Sequence, residues 1–152
     1  MAPVTDKECI LIVDEDPNML ELLRRHLSAK GYEVVSVTGV NKATQVLAAR
    51  PIDLVITALK MPEGSGHDLI RHIRRNFKHT EVMIVTGSAA IREALMAAKA
   101  GGAEYLVKPF TEEELFTAVQ RAFSKLSVRQ SNQARAYLAR TAHEAIVPNH
   151  FS

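Results

Sequence analysis

The sequence predicts an α/β protein in which five strands alternate with five helices and form a parallel sheet covered by helices on both faces. Two observations favour this fold. Continuous apolar runs of strand length, such as residues 9–13 and 82–86, are typical of strands that are buried on both sides. Between these runs, apolar residues recur every three to four positions, and the connecting loops are short. This alternation is expected for a doubly wound parallel sheet with crossover helices.

The first strand and helix are predicted from residues 9 to 31. The apolar run 9–13 is the strand, and Asp16 followed by Pro17 indicates a helix start, with a capping carboxylate and proline at the first helical position. Gly31 is expected to end this helix. The helix carries a stripe of leucines at three- to four-residue spacing: Leu20, Leu23 and Leu27.

The second strand is predicted over residues 32–37. Asn41 can cap the second helix, which Pro51 stops. A third strand follows at 54–57, and residues 61–66 form a loop rich in glycine and proline.

The third helix is predicted from about His67 to Asn76, and the fourth strand over residues 82–86. Ser88 is expected to cap a fourth helix that Gly101 and Gly102 close. Residues 105–107 form a short fifth strand.

The fifth helix begins with a capping box, because Thr111 is followed three residues later by Glu114. Five units close near Leu126, which predicts a domain over residues 8–126 and a C-terminal helical extension over 127–152. The extension has a thin, alanine-rich stripe that should need a partner: Ala134, Tyr137, Leu138, Thr141, Ala142 and Ala145. Another face carries the arginines Arg129, Arg135 and Arg140.

The composition is that of a globular protein of 152 residues, with 47% hydrophobic and 24% charged residues. A formal net charge of +2 is too small to indicate nucleic-acid binding by itself. Cys9 is the single cysteine, so no intrachain disulfide can form. No apolar run is long enough for a membrane helix, and the N-terminus lacks a signal-peptide pattern, so we expect a cytoplasmic protein.

The first strand ends in three consecutive acids, Asp14, Glu15 and Asp16. Two carboxylates at the carboxyl edge of a parallel sheet repel each other unless a cation joins them. Hard oxygen ligands suit Mg²⁺, so Asp14 and Glu15 are candidate magnesium ligands, while Asp16 is expected to serve only as a helix cap.

Polar groups also follow the fourth and fifth strands. Thr86 places a hydroxyl beside the small Gly87, and Lys108 can neutralise a carboxylate or a phosphoryl oxygen. Pro109 permits a cis bond after this lysine. The third strand, in contrast, ends at Ala58, whose methyl group cannot donate, accept or coordinate.

Taken together, these motifs resemble the receiver domain of two-component response regulators over about residues 8–126. The matching segments are ILIVDEDPN (10–18), DLVITALKMP (53–62), VTG (85–87) and AEYLVKPF (103–110). The resemblance implies a flavodoxin-like fold and a role in phosphorelay signal transduction rather than enzymatic turnover.

The resemblance also implies roles for individual residues. The magnesium pair falls on Asp14 and Glu15, with the backbone carbonyl of Lys60 as a further ligand. The phospho-accepting aspartate falls on Ala58 and is missing.

Three further positions acquire family roles in the same way. Thr86 corresponds to the switch hydroxyl, Tyr105 to the rotating aromatic residue, and Lys108 to the residue that holds the phosphoryl group.

Alanine at position 58 removes the nucleophile of aspartyl phosphorylation. Thr57 is a poor substitute because neighbouring strand residues point to opposite faces. We expect weaker Mg²⁺ binding and a Lys108 side chain that turns toward Asp14 or Glu15. Two explanations remain open: a natural receiver that works without phosphate, or deliberate replacement of the aspartate. Retention of the other site residues favours recent or deliberate loss.

The resemblance implies protein partners: a sensor histidine kinase or phosphotransfer protein, and a second copy or an effector. The expected contact surface comprises the fourth helix, fifth strand and fifth helix, with charges of both signs at Arg92, Glu93, Lys99, Glu112 and Glu113. The extension is a candidate dimerisation helix. No phosphate-binding Gly-rich loop occurs, and no helix-turn-helix follows Leu126, so we expect an output domain to be absent from this chain or to be a separate protein.

Three alternatives belong to other classes. A Mg²⁺-dependent phosphohydrolase would use Asp14 but needs a second catalytic acid that is not evident. A flavodoxin-like cofactor binder would need a phosphate-binding loop where the acids after the first strand would repel phosphate. A pure interaction scaffold, independent of phosphorylation, is compatible with the sequence.

Overall fold

A computed structural model of the chain describes residues 7–61, 64–87 and 103–146, with side chains described up to residue 142. Five strands form the main sheet: β1 (Cys9–Val13), β2 (Glu33–Val37), β3 (Leu54–Thr57), β6 (Glu81–Thr86) and β7 (Glu104–Val107). The helices are α1 (Pro17–Ala29), α2 (Val40–Ala49), α3 (Gly66–Asn76) and the C-terminal helix (Glu112–Ile146). The predicted fourth helix, together with Arg92, Glu93 and Lys99, lies outside the described residues.

The main sheet has the strand order β2-β1-β3-β6-β7, and every pairing in it is parallel. Strand β1 pairs on both sides, so that Val13 lies opposite Val37 on one neighbour and Thr57 on the other. The predicted five-stranded parallel sheet is therefore confirmed.

Two apolar cores lie on opposite faces of this sheet, because alternate strand residues point to opposite sides. One core packs α2 and α3 against the sheet and includes Leu11, Val55, Ile84, Leu47 and Ile73. The other packs α1 and the C-terminal helix and includes Ile12, Ile56, Met83, Leu27 and Leu115. Helices thus cover both faces, as a doubly wound fold requires.

Two predicted helix caps are confirmed. The Asp16 carboxylate accepts a hydrogen bond from the Asn18 backbone N–H at 2.9 Å and caps α1. The capping box of the C-terminal helix is complete, with Glu114 N–H donating to Thr111 Oγ1 at 3.0 Å and Thr111 N–H donating to Glu114 Oε1 at 2.8 Å. Local side-chain chemistry therefore determines both starts.

The predicted cap of α2 was wrong, whereas the start of α3 was predicted to within one residue. Helix α2 begins at Val40 with Gly39 at the N-cap, so Asn41 lies in the first turn and is not the cap. Helix α3 begins at Gly66, after Ser65 caps it by accepting from the Asp68 N–H at 3.2 Å. The loop before it contains a short antiparallel hairpin, β4 (Lys60–Met61) with β5 (Gly64–Ser65), which the sequence pattern did not reveal.

The C-terminal helix continues without interruption past Leu126, the last buried residue among those of its residues with described side chains. Beyond this point Val128, Tyr137 and Leu138 are each about 60% exposed. Arg129 differs from the other arginines of the extension because it reaches back to the domain. In the described part of the chain, neither this helix nor any other is long and apolar enough to span a membrane.

Gly66 allows a close approach between α3 and the loop that follows β3. Its N–H donates to the Leu59 carbonyl at 2.7 Å. A Cβ atom at this position would overlap the Ala58 carbonyl oxygen and lie 2.9 Å from Leu59 Cα. Both obstacles are backbone atoms, so no rotamer change can relieve the overlap.

We therefore expect Gly66→Ala to destabilise the fold by about 1–3 kcal/mol, even though alanine is the better helix former. Urea unfolding measures the difference. Gly87→Ala is the matched control, since a Cβ there meets no atom within 4 Å. Equal midpoints for the two variants would contradict the close approach.

Candidate functional site

Four loops converge at the carboxyl edge of the main sheet. Asp14 follows β1, Ala58 follows β3, Thr86 ends β6 and Lys108 follows β7. Backbone hydrogen bonds continue the strand pairing into these loops: Ala58 N–H donates to the Val13 carbonyl at 3.0 Å, and Lys108 N–H donates to the Thr86 carbonyl at 2.7 Å. The predicted convergence is therefore observed.

Asp14 follows β1 at this edge and is only 5% exposed. Its Oδ1 accepts a hydrogen bond from the Asp16 N–H at 2.9 Å, which fixes the orientation of the carboxylate. Its Oδ2 lies 3.6 Å from Lys108 Nζ. The lysine thus turns toward Asp14, one of the two acids that the sequence indicated.

The other candidate metal ligands are more exposed than Asp14. Glu15 lies on the surface directly after it, and Lys60 is exposed in β4. Two carboxylates and a backbone carbonyl are hard oxygen donors, so their chemistry fits Mg²⁺. Across the described ranges no three His, Cys, Asp or Glu side chains are grouped as a metal site.

Ala58 is half-buried and packs against the core that α2 and α3 cover. The neighbouring Thr57 is fully buried, and its hydroxyl donates to the Ala58 carbonyl at 2.8 Å. A buried hydroxyl already used in a backbone hydrogen bond is poorly placed to act as a nucleophile. At the end of β3, between β1 and β6, the site therefore contains a methyl group where its neighbours have polar side chains.

The remaining predicted site residues surround this position on β6 and β7. Thr86 is 5% exposed, and within the described ranges its hydroxyl donates one long hydrogen bond, 3.4 Å, to the Gly87 carbonyl. Tyr105 is 38% exposed on β7. The Lys108–Pro109 peptide bond is cis.

Two residues that support the site were missed in the sequence. Gly66 sets the path of the loop after β3, and the Gly-Ser-Gly triplet in which it lies was the available signal. Glu104 begins β7 and forms ion pairs with Lys125 at 2.9 Å and Arg121 at 3.6 Å, which attaches β7 to the C-terminal helix. No local pattern indicates this contact, because its partners are distant in sequence.

Comparison with known proteins is consistent with this geometry. Residues 10–120 match the family model described as "Response regulator receiver domain". The chain is 37% identical to the response regulator protein FleR of Pseudomonas aeruginosa over 112 residues, or 74% of this chain and 24% of that protein. It is 36% identical to the response regulator protein PilR of the same organism over 99 residues, or 65% of this chain and 22% of that protein.

Among solved structures, the signal receiver domain of an HD domain-containing protein from Pseudomonas fluorescens Pf-5 is similar, with a TM-score of 0.77. The two are 30% identical, and the alignment covers 86% of this chain and 97% of that domain. The chain thus spans nearly all of this receiver domain but only about a quarter of the length of FleR and PilR.

The geometry predicts a measurable coupling between Lys108 and Asp14. Their side chains are 31% and 8% exposed, so a double-mutant cycle of Lys108→Met and Asp14→Asn should give about 0.2–1 kcal/mol at low salt. The coupling should decrease as salt screens it. The control cycle pairs Lys108→Met with Glu15→Gln and should give a smaller value. A larger coupling to Glu15 would contradict the observed orientation.

Proposed function

The chain belongs to the response regulator receiver family, and on this premise we propose that it is a receiver module that takes no aspartyl phosphate in its present form. One observation carries the proposal. Strand β3 lies between β1 and β6, and the residue that follows it, Ala58, is the only one of the four converging site positions without a polar side chain. This is the position that the family resemblance assigns to the phospho-acceptor.

The chemistry of position 58 follows directly. Aspartyl phosphorylation needs a carboxylate oxygen that attacks phosphorus and forms an acyl phosphate. A methyl group offers no lone pair, and the adjacent Thr57 hydroxyl is buried and hydrogen-bonded. The proposal therefore assigns no phosphotransfer and no enzymatic turnover to this chain.

The electrostatics of the site change with the same substitution. With an aspartate at position 58, Lys108 would face carboxylates after both β1 and β3. With alanine there, Asp14 is its ion-pair partner at 3.6 Å. Asp14, Glu15 and the Lys60 carbonyl would hold Mg²⁺, which when bound supplies positive charge to balance these acids. With two carboxylates instead of three, we expect the affinity to be lower.

Signalling then depends on surfaces. A groove of about 370 Å³ lies between β7 and the C-terminal helix, lined in part by Tyr105, Glu113 and Arg121. This groove and the exposed stripe of the extension are the proposed contact surfaces for a second copy or an effector. Without phosphate, a partner must supply the differential binding energy that shifts the domain between conformations.

A second surface is available to a histidine kinase or phosphotransfer protein. Helix α1 begins beside the site, and its last turn lies next to the first turn of the C-terminal helix, where His26 Nδ1 is 3.1 Å from Glu112 Oε2. We place the receiver boundary near Leu126 and assign residues 127–152 to a helical linker. A cytoplasmic location is part of the proposal.

The proposal predicts that acetyl phosphate leaves the unmodified chain unlabelled, whereas Ala58→Asp gains one phosphoryl group. The reason is the restored carboxylate nucleophile. Intact-mass spectrometry measures the gain, and Ala58→Asn is the matched control because an amide fits the same space without forming an acyl phosphate.

Each outcome has a distinct meaning. If the unmodified chain acquires a phosphate that is labile in acid and base, another carboxylate is the acceptor and the assignment of position 58 is wrong. If Ala58→Asp stays unlabelled while remaining folded, the site is not a phospho-accepting pocket.

Position 58 should also affect the affinity for Mg²⁺. Ala58→Asp should tighten binding by roughly tenfold, equivalent to about 1.4 kcal/mol, because it adds a third carboxylate. Isothermal titration calorimetry measures the affinity, and Asp14→Asn in the Ala58→Asp background should remove the gain. Equal affinities for the unmodified and Ala58→Asp chains would contradict the assigned ligand set.

A further inference from the structure

Three charged residues from three elements meet at the amino end of β6, at the opposite edge of the sheet from the site. Glu81 is the first residue of β6, and its side chain is 1% exposed. Arg74 Nη1 from α3 lies 2.7 Å from Glu81 Oε1, and Arg129 Nη1 from the C-terminal helix lies 2.8 Å from the same oxygen. One buried carboxylate oxygen is thus shared by two guanidinium groups.

Arg129 makes further contacts with the loop before β6. Its Nη2 donates to the Thr80 carbonyl at 3.1 Å, and its Nε donates to the Lys78 carbonyl at 3.3 Å. In the part of the helix with described side chains, no residue after Arg129 forms a hydrogen bond or ion pair with the domain. Leu126 is the last buried residue among those with described side chains, so Arg129 is the last side chain that attaches the extension to the domain.

Arg74, in contrast, does not use all of its hydrogen-bond donors. Its Nε is buried and has no hydrogen-bond partner among the residues that the structure describes. A guanidinium can bind a carboxylate through two parallel N–H···O bonds. Arg74 already binds Glu81 through Nη1 and still has an N–H group to donate, so it can remain the partner of Glu81 if Arg129 leaves.

This spare capacity changes the consequence of releasing the helix. If Arg129 were the sole partner of Glu81, its departure would leave a buried, unpaired carboxylate. That is strongly destabilising, so Arg129 would stay bound. Here Arg74 remains to neutralise Glu81. We propose that Glu81, Arg74 and Arg129 form a releasable latch: closed when Arg129 docks on Glu81, and open when Arg74 binds Glu81 alone and the helix after Leu126 is released.

The first test measures helix direction in the full chain. Nitroxide labels at Lys42→Cys and Leu138→Cys, both exposed positions, in a Cys9→Ala background report one intrachain distance when labelled protein is diluted with unlabelled protein. Arg129→Gln should broaden the distance distribution. Arg135→Gln is the matched control, since Arg135 lies on the same helix, is exposed, and should leave the distribution unchanged.

The Arg74→Gln variant distinguishes the latch from a static ion-pair cluster of the same three residues. Without Arg74, Arg129 is the remaining guanidinium that the structure places on Glu81, so the helix should be held at least as firmly as in the parent protein. A distribution as broad as that of Arg129→Gln would overturn the exchange of partners. An Arg129→Gln distribution as narrow as that of the parent would overturn the latch itself.

Thermal unfolding gives an independent readout. The two single variants should each lower Tm modestly, whereas Arg74→Gln with Arg129→Gln should lower it by more than the sum, because Glu81 then loses both guanidinium partners. Adding Glu81→Gln should recover part of the loss, including folding if the double variant is unfolded. Additive single effects, or a triple variant no more stable than the double, would overturn the proposal.

Discussion

The parallel register of β1, β3, β6 and β7 is the constraint on which the site depends. Parallel strands bring their carboxyl ends to one edge, so residues far apart in sequence become neighbours without any direct attraction between them. The 3.0 Å bond from Ala58 N–H to Val13 and the 2.7 Å bond from Lys108 N–H to Thr86 extend this register into the loops. The positions of the side chains at this edge are thus set by backbone pairing, which does not depend on the identity of the side chain at position 58. This explains how the pocket can keep its shape while position 58 is an alanine.

The sequence predicted the parts of the fold that local chemistry decides. The capping box of Thr111 and Glu114 and the Asp16 cap are contained within a few residues, and both are observed. Asn41 was wrongly chosen as a cap because the actual N-cap, Gly39, has no side chain that could indicate a helix start. The helix begins at Val40, one residue before Asn41. The β4–β5 hairpin was missed because two-residue strands carry no periodicity.

Ion pairs between residues far apart in sequence could not be predicted from the sequence. Arg129 looks like any other arginine on a polar helix face, yet it contacts Glu81, 48 residues away. In the sequence, Glu81 precedes a buried strand and would ordinarily be assigned to a loop. Only the packing of the C-terminal helix across β6 shows that this glutamate is buried and needs a cation. The convergence of Asp14, Ala58, Thr86 and Lys108 was easier to predict, since each lies at or directly after the end of a strand that the apolar pattern had already located.

The two ends of β6 raise the question of how the site and the latch communicate. Glu81 and Thr86 are separated by five residue steps, roughly 17 Å at the rise of a parallel strand, which is too far for direct coupling. Between them, Met83 and Ile84 are fully buried on opposite faces of the sheet. Sliding the strand would disturb both cores, and close-packed interiors resist such displacement. The strand is therefore a poor route for a signal. The C-terminal helix is a better one, because it borders the groove beside β7 and also carries Arg129. A partner bound in that groove contacts the same helix that the latch holds, so its binding energy can act on the direction of the extension without any change in the sheet.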